Sequence, residues 1–292
     1  MKRVLIIGKT SYIGRSWKDY MDKNHGDLPL QIDCVGAVNE EWKTANLKEY
    51  EVVVHMAALV HQKEEKAGED AYRRVNYELP MEIAKGAKAS GVGQFVFLST
   101  MAVYGNVSGK ITKETKAQPE TYYGIYKYKA EEELRALHTD KFRITIIRPP
   151  MVYGKDCKGN FKRLVKLAGI SMAFPEISNK RSMLYIENLC EYLYLVLKRQ
   201  AYGIGCPQNP MPVETTDLFC KIRKAQNRKT MTTKAFNPLL ISLMKRIKSL
   251  DKMFGDCYYE LENEGGSEDF WIDIPPWEYE KVKFEESVWR SV

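Results

Sequence analysis

The sequence predicts an α/β fold, a doubly wound parallel sheet with a smaller C-terminal lobe. Three observations predict it. Short, wholly apolar runs alternate with stretches of helical periodicity up to about residue 150 of 292, as parallel strands buried on both faces and joined by crossover helices require. The first apolar run leads straight into a glycine-bearing loop that opens a helix. Beyond that point the alternation breaks into helices, short extended pieces and turns marked by Gly and Pro.

Val4 to Ile7 is apolar throughout and predicts the first strand; Gly8 follows at once and Gly14 six residues later. Ile13 and Trp17 are four apart and predict a helix that starts between the glycines. Strand, glycine turn and helix N-terminus together make a pyrophosphate site, because backbone N–H groups and the helix dipole face the anion. The expected ligand is a nicotinamide dinucleotide, NAD(P), held by Gly8, Lys9, Ser11, Tyr12, Ile13 and Gly14. Ser11 stands where a middle glycine is expected, and its Cβ adds crowding at the phosphates. Leu30 to Val35 predicts the second strand. A carboxylate at its end would hold the 2′-hydroxyl of NAD, but Gly36-Ala37-Val38-Asn39 follows and Asp33 lies inside the strand. Lys9 or Arg15 could face a 2′-phosphate, so NAD and NADP both stay open.

Gln94 to Ser99 predicts a further buried strand with Thr100 at its end, where α/β sheets place their chemistry. Tyr123 comes 23 positions later and Lys127 four after that, at the head of a segment with helical character through Leu137. On a helix Tyr123 and Lys127 share a face. The ammonium, and the positive nicotinamide ring, should favour the phenolate, so the tyrosine pKa is expected to fall into a useful range. Thr100 would hold the substrate oxygen and complete the proton path. In a chain with 18 tyrosines the spacing also arises by chance, as at Tyr194 and Lys198 inside a helix that reads as structural. Only Tyr123 follows a strand-end threonine and opens its own helix.

Six segments occur in one order: Gly8 to Gly14; Val54-His55-Met56-Ala57-Ala58; Val75-Asn76-Tyr77; Ser99 to Gly105; Tyr123-Gly124-Ile125-Tyr126-Lys127 with Glu131; and Arg148-Pro149-Pro150-Met151-Val152-Tyr153-Gly154. In that order they resemble the extended short-chain dehydrogenase/reductase family, in its nucleotide-sugar epimerase/dehydratase branch. The resemblance implies a Rossmann-type cofactor domain over 1–155. It implies a mainly substrate-binding lobe over 156–292, with some segments returning to the first domain. It adds Ala57, Ala58 and Asn76 to the cofactor contacts, with Tyr123 and Lys127 themselves. A homodimer built on two helices per subunit, one starting at Tyr123, is also implied. More weakly, Asn160 (before Phe161) and Arg181 (heading Arg181-Ser182-Met183-Leu184-Tyr185) match the positions that contact a nucleotide-sugar diphosphate; a guanidinium is a bidentate match for phosphate. Phe284-Glu285-Glu286-Ser287 resembles the closing segment.

Sugar 4,6-dehydratases of this branch carry an Asp-Glu pair after the threonine; here Met101 and Ala102 stand there, and neither moves a proton. Hydride transfer with the Tyr/Thr acid–base set remains. The expectation is an NAD(P)-dependent nucleotide-sugar 4-epimerase, acting on a UDP-hexose or UDP-N-acetylhexosamine through a 4-keto intermediate, in polysaccharide or glycan precursor synthesis. The alternative is an NAD(P)H-dependent 4-keto-sugar reductase, because the Gly8-Lys9-Thr10 start and the short length resemble dTDP-4-dehydrorhamnose reductases. A non-catalytic dinucleotide sensor is the remote reading; such proteins commonly lose the Tyr/Lys pair.

The composition, 44% hydrophobic and 28% charged, is that of an ordinary soluble domain. No apolar run approaches the ~20 residues that span a bilayer, and Met1-Lys2-Arg3 leads into a strand rather than a signal peptide; a cytoplasmic location is expected. Six cysteines without C-x-x-C spacing and four scattered histidines predict reduced thiols and no metal. The net charge of +7 is uneven: ten Lys and Arg between Lys221 and Lys252 face Asp251 alone. Leu239, Leu240, Leu243, Met244, Ile247 and Leu250 recur there at near-helical spacing. A lobe helix with its apolar face in the core is preferred to a basic amphipathic helix on an anionic membrane. Nucleic acid is not an expected partner, since no recognised motif accompanies the charge; a positive surface can steer an anionic nucleotide sugar. Glu187 to Arg199 predicts a helix, Gly203 to Pro212 and Gly265-Gly266-Ser267 predict loops, and Phe270 to Trp277 an extended aromatic tail.

Overall fold

The computed structural model describes residues 2–26, 28–37, 40–60, 67–235, 237–244, 246, 250, 253–260 and 270–292. The strands β1 (Lys2–Ile7), β2 (Leu30–Val35), β3 (Val52–His55), β4 (Gln94–Leu98), β6 (Arg143–Ile147) and β10 (Gly203–Gly205) form one six-stranded sheet in the order β10-β6-β4-β3-β1-β2. Every neighbouring pair in it is parallel. The direction of strand progression reverses between β1 and β3, and such a switch point opens a crevice at the carboxyl ends of the strands.

The apolar runs are continuous because both faces of the sheet are covered. Leu5, Ile7, Val53, Phe95, Phe97, Ile144 and Ile146 face one core with Ile83, Ala84, Ala87, Ala130 and Leu134. Those five belong to α3 (Leu79–Ala89) and α4 (Tyr122–Leu137). Upstream of α3 the chain passes from α2 (Glu69–Arg73) through a π turn (Arg74–Glu78). The alternate residues Val4, Ile6, Val54, Val96 and Leu98 face the other core with Trp17, Leu189 and Tyr192, from α1 (Tyr12–Asn24) and α6 (Ile186–Arg199). Trp17 Nε1 donates to the Cys190 carbonyl at 3.1 Å, locking α1 to α6.

Gly203 to Pro212 was expected to be a loop, and its first three residues are instead the edge strand β10. The glycines are there for close approach rather than for a turn. A Cβ at Gly205 would lie 2.2 Å from the Tyr192 hydroxyl, and one at Gly203, with φ +108, 2.8 Å from the Phe270 backbone.

The remaining strands pair in parallel twos. β5 (Gly109–Ile111) pairs with β12 (Cys257–Tyr259), β7 (Met151–Tyr153) with β9 (Met183–Tyr185), and β8 (Ala173–Pro175) with β11 (Met231–Thr233). The first pair joins chain from the two halves of the sequence and flanks the crevice, with Cys257 3.7 Å from Met101. Around them lie α5 (Asn160–Ile170), α7 (Thr215–Ala225), α8 (Asn237–Met244), α9 (Pro276–Tyr279) and α10 (Phe284–Ser291). The tail expected to be extended thus turns into a helix at Pro276, a residue suited to a first helical turn. Met244 and Leu250 pack partly against the core, while Lys245, Ile247, Lys248, Asp251 and Lys252 lie outside the described residues, as do Gly265, Gly266 and Ser267. All six cysteines are free thiols. Among the described residues no helix is long and apolar enough to cross a membrane, and no group of three or more His, Cys, Asp or Glu could hold a metal.

Candidate active site

At the carboxyl end of β1 the backbone turns at Gly8, whose φ is +125; a Cβ there would sit 2.8 Å from the Ala57 nitrogen. A Cβ at Gly14 would sit 2.7 Å from both the Gly8 carbonyl oxygen and the Ser11 hydroxyl. Only glycine permits this approach of loop, helix and β3. Ser11 is the N-cap of α1 and its Oγ accepts from the Gly14 N–H at 2.9 Å. Its side chain is therefore folded onto the helix. The N–H groups of Tyr12 and Ile13, in the first turn of α1, have no partner among the described residues. They supply the backbone donors that an anion needs at a helix N-terminus. The Tyr12 phenol points elsewhere: its buried hydroxyl has no partner and lies 2.6 Å from where a Gly154 Cβ would be. The chain fits a dinucleotide pyrophosphate at this loop through backbone.

A carboxylate does stand beyond β2. Glu41 heads a short 3-10 helix (Glu41–Thr44), accepts from the Gly36 N–H at 2.8 Å and takes a hydrogen bond from Lys9 Nζ at 2.6 Å. It was missed because it follows the strand by six residues and is delivered by a separate turn. Asp33 is engaged by Arg3 at 2.9 Å and by the Tyr50 hydroxyl at 3.0 Å. Past β3, Ala57 is buried with its N–H on the Ile7 carbonyl at 3.1 Å, and Ala58 is exposed. Asn76, wholly buried on the π turn, accepts from the Leu59 N–H at 3.0 Å and donates to the Leu59 carbonyl at 3.2 Å. Its amide shapes the segment that follows Ala58.

Thr100 comes two residues after β4, past Ser99, and caps a 3-10 helix (Met101–Tyr104), its Oγ1 accepting from the Ala102 N–H at 3.1 Å. Thr121 caps α4 in the same manner, accepting from the Gly124 N–H at 3.1 Å. Gly124 lets the two caps meet, since a Cβ there would lie 2.7 Å from the Ala102 oxygen. Tyr123 is thereby brought up beside the Thr100 side chain, near enough for it to act on the phenol. One turn along α4, the fully buried Lys127 donates to the Leu98 carbonyl at 2.7 Å and lies 4.3 Å from the Phe97 ring centre. Thr100, Tyr123 and Lys127 meet at the end of β4, on the crevice.

The electrostatics differ from the expectation. Burial pushes the Tyr123 phenol up to about 12, with the neighbouring Thr100 hydroxyl pulling the other way. Lys127, aimed at a backbone carbonyl and itself desolvated, does not by itself outweigh that burial. Burial lowers Lys127 to about 7, and the Glu131 carboxylate raises it in part.

Glu131 belongs to a buried network that sequence reasoning used only as a motif position. It accepts from Arg148 Nε at 3.0 Å and from the Ser99 hydroxyl, and Arg148 Nη1 donates to the Tyr104 hydroxyl at 2.8 Å. Ser99 precedes Thr100 and Glu131 follows Lys127 by one turn, so one ion pair ties β4, α4 and β6 together under the site. The i, i+4 spacing of Lys127 and Glu131 and the lone Arg148 before two prolines were the available signals. His55, at the end of β3, is wholly buried with neither ring nitrogen bonded. Burial lowers its pKa to about 3, with the Lys127 charge acting in the same sense.

Arg181 Nη1 donates to the Gly255 carbonyl at 2.7 Å, and its backbone bridges to Val213 and Cys257. Cys257 Sγ lies 3.7 Å from Met101 Sδ, so Arg181 sits on the flank beside the Thr100 turn. Asn160 is exposed at the first position of α5. No hydrogen bond among the described residues joins it to Thr100, Tyr123 or Arg181.

The NAD dependent epimerase/dehydratase family model matches residues 4–205. The chain is 35% identical over 214 residues to a UDP-glucose 4-epimerase of Vibrio cholerae, covering 66% of this chain and 65% of that one. The match thus spans just under two-thirds of that relative's length. The fold is similar to the UDP-glucuronic acid 4-epimerase of Bacillus cereus in complex with NAD, with TM-score 0.69, 15% identity and 99% and 97% of the two chains covered. It is equally similar to a dTDP-4-dehydrorhamnose reductase of Bacillus anthracis in complex with NADP, with TM-score 0.68, 18% identity and 99% and 98% covered. With the family model matching residues 4–205, the chain belongs to the NAD dependent epimerase/dehydratase family.

Proposed function

We propose that this protein is a nucleotide-sugar 4-epimerase, acting on a UDP-hexose or UDP-N-acetylhexosamine through a 4-keto intermediate. The observation that carries the reading is the meeting of Thr100, Tyr123 and the buried Lys127 at the end of β4, with Met101 and Ala102 following Thr100. It supplies one proton carrier for a sugar hydroxyl and no acid for removing water. NAD(P), when bound at the β1–α1 loop, supplies reversible hydride acceptance. Tyr123 takes the proton of the sugar 4-hydroxyl and returns it to the 4-keto oxygen after the sugar has turned. Thr100 orients that oxygen; cationic Lys127, with the positive nicotinamide ring when NAD(P) is bound, works against the burial that raises the phenol. Arg181 and Asn160 are the proposed contacts of the substrate diphosphate, and residues 156–292 the main substrate lobe. Glu41 supports NAD over NADP, because a carboxylate near the end of β2 suits a ribose 2′-hydroxyl and repels a 2′-phosphate.

Proton NMR of the anomeric region tests this with protein, UDP-glucose or UDP-N-acetylglucosamine, and no reductant. Appearance of the galacto sugar is the expected result. An unchanged spectrum from folded, NAD-loaded protein, with turnover of a 4-keto nucleotide sugar on adding NAD(P)H, would establish the reductase reading that the second structural likeness favours.

A further inference from the structure

We propose that the tip of the lobe formed by the end of α5 and the turn before β11 docks on an anionic membrane surface. Two turns are pinned side by side there. The buried Arg223 donates through Nη1 to the carbonyls of Ala168 and Ser171, both at 2.6 Å, and through Nε to that of Lys229 at 2.8 Å. The Met231 N–H then donates to the Met172 carbonyl at 2.9 Å. On this fixed frame stand Ile170, 84% exposed, Met172, 61% exposed, and Met231, 54% exposed. Ile170 is the most exposed large hydrophobic among the described residues. One such side chain would be unremarked on any surface; three on two tethered turns form a patch.

The charge around the patch is mainly positive; the one bordering carboxylate among the described residues, Glu176, is paired with Lys234 at 3.3 Å. Lys162, Lys166 and Ile170 lie four apart along α5 and share a stripe, with Arg163 beside them, and Arg228 and Lys229 border Met231. All five cations are exposed, and among the described residues none is in an ion pair. There is no acidic residue from Lys158 to Pro175 or from Lys221 to Ala235. Methionine and isoleucine side chains can enter the headgroup layer while long cationic side chains reach lipid phosphates. The cations alone would suit any polyanion; the apolar tip among them selects a bilayer interface. Part of the basic 221–252 segment thus serves a surface, although the sequence favoured a core role for it. The proposal is independent of the reaction at the crevice.

The test is co-sedimentation of the full chain, without substrate, on phosphatidylcholine vesicles and on vesicles containing phosphatidylglycerol. Expected is binding to the anionic vesicles only, falling as salt rises. Combined Ile170→Ser, Met172→Ser and Met231→Ser should weaken it by about tenfold or more, and Lys166→Glu with Arg228→Glu should abolish it. Both variants change exposed side chains, and unchanged circular dichroism melts show that they fold. Absence of binding to anionic vesicles would overturn the proposal. So would vesicle binding that the serine variant leaves intact while single-stranded RNA competes it away, because that result describes a simple polyanion site.

Discussion

Glu131→Gln should destabilise the fold and move the pH dependence of turnover at once. The Glu131 and Arg148 side chains are 1% and 7% exposed. The amide removes the charge but keeps the shape, leaving Arg148 buried without its counter-ion. Breaking one partner of a buried pair costs about 3–5 kcal/mol. At about 2–4 °C per kcal/mol for a domain of this size, the melting temperature should drop on the order of 10 °C. Arg148→Met strands the carboxylate instead and should cost a similar amount. Glu131→Leu combined with Arg148→Met removes both charges and should recover much of the loss. The catalytic consequence follows from Lys127, whose pKa of about 7 is held up in part by Glu131. Without that carboxylate less of Lys127 is cationic at neutral pH, so kcat falls there and its optimum moves to lower pH. Urea melts and kcat–pH profiles measure the two effects. Single variants within about 1 kcal/mol of wild type, or an unmoved profile at reduced stability, would refute the reasoning.

Three further outcomes are expected. Lys127 is charged in the unfolded chain up to its ordinary value of 10.5 and in the fold only below about 7. Its contribution to stability therefore rises from pH 7 towards 10, and the stability of wild type relative to Lys127→Met should rise over that window; a flat difference in urea melts would exclude this. His55 titrates near 6.5 unfolded and about 3 folded, so the fold loses stability as pH falls below 6.5, whereas His55→Leu should lose less between pH 6.5 and 4.5; parallel acid melts would show that the histidine is not buried and neutral. Glu41→Gln should lower the preference for NAD over NADP by roughly tenfold or more, read from the two dissociation constants by calorimetry; an unchanged ratio would remove Glu41 from cofactor selection.

Legibility in the sequence followed the range of the physics. β1, β2, β4 and α6 could be read because each run is set by its own neighbours, an apolar stretch buried on two faces or an apolar stripe on one. The Thr100, Tyr123 and Lys127 group could be read because strand end and helix start impose their spacing directly. Glu41 could not, since what makes it a candidate is a hydrogen bond to Gly36 across a turn, and nothing in the chain between them marks that return. β10 was hidden for a related reason: Gly203 and Gly205 carry the residue type of a turn, but the cause lies in Phe270 and Tyr192, far along the chain. The pKa of Tyr123 shows most clearly what spacing leaves open. Spacing places an ammonium one turn away, but the sign of the shift depends on desolvation and on where Nζ points. A helical i, i+4 pair guarantees a shared face, and only burial decides whether that face makes a phenolate. On this view the low pKa of Lys127 and the high one of Tyr123 share one cause, the dry pocket at the end of β4. A group that brings positive charge into that pocket should therefore shift Tyr123 further than the same charge would in water.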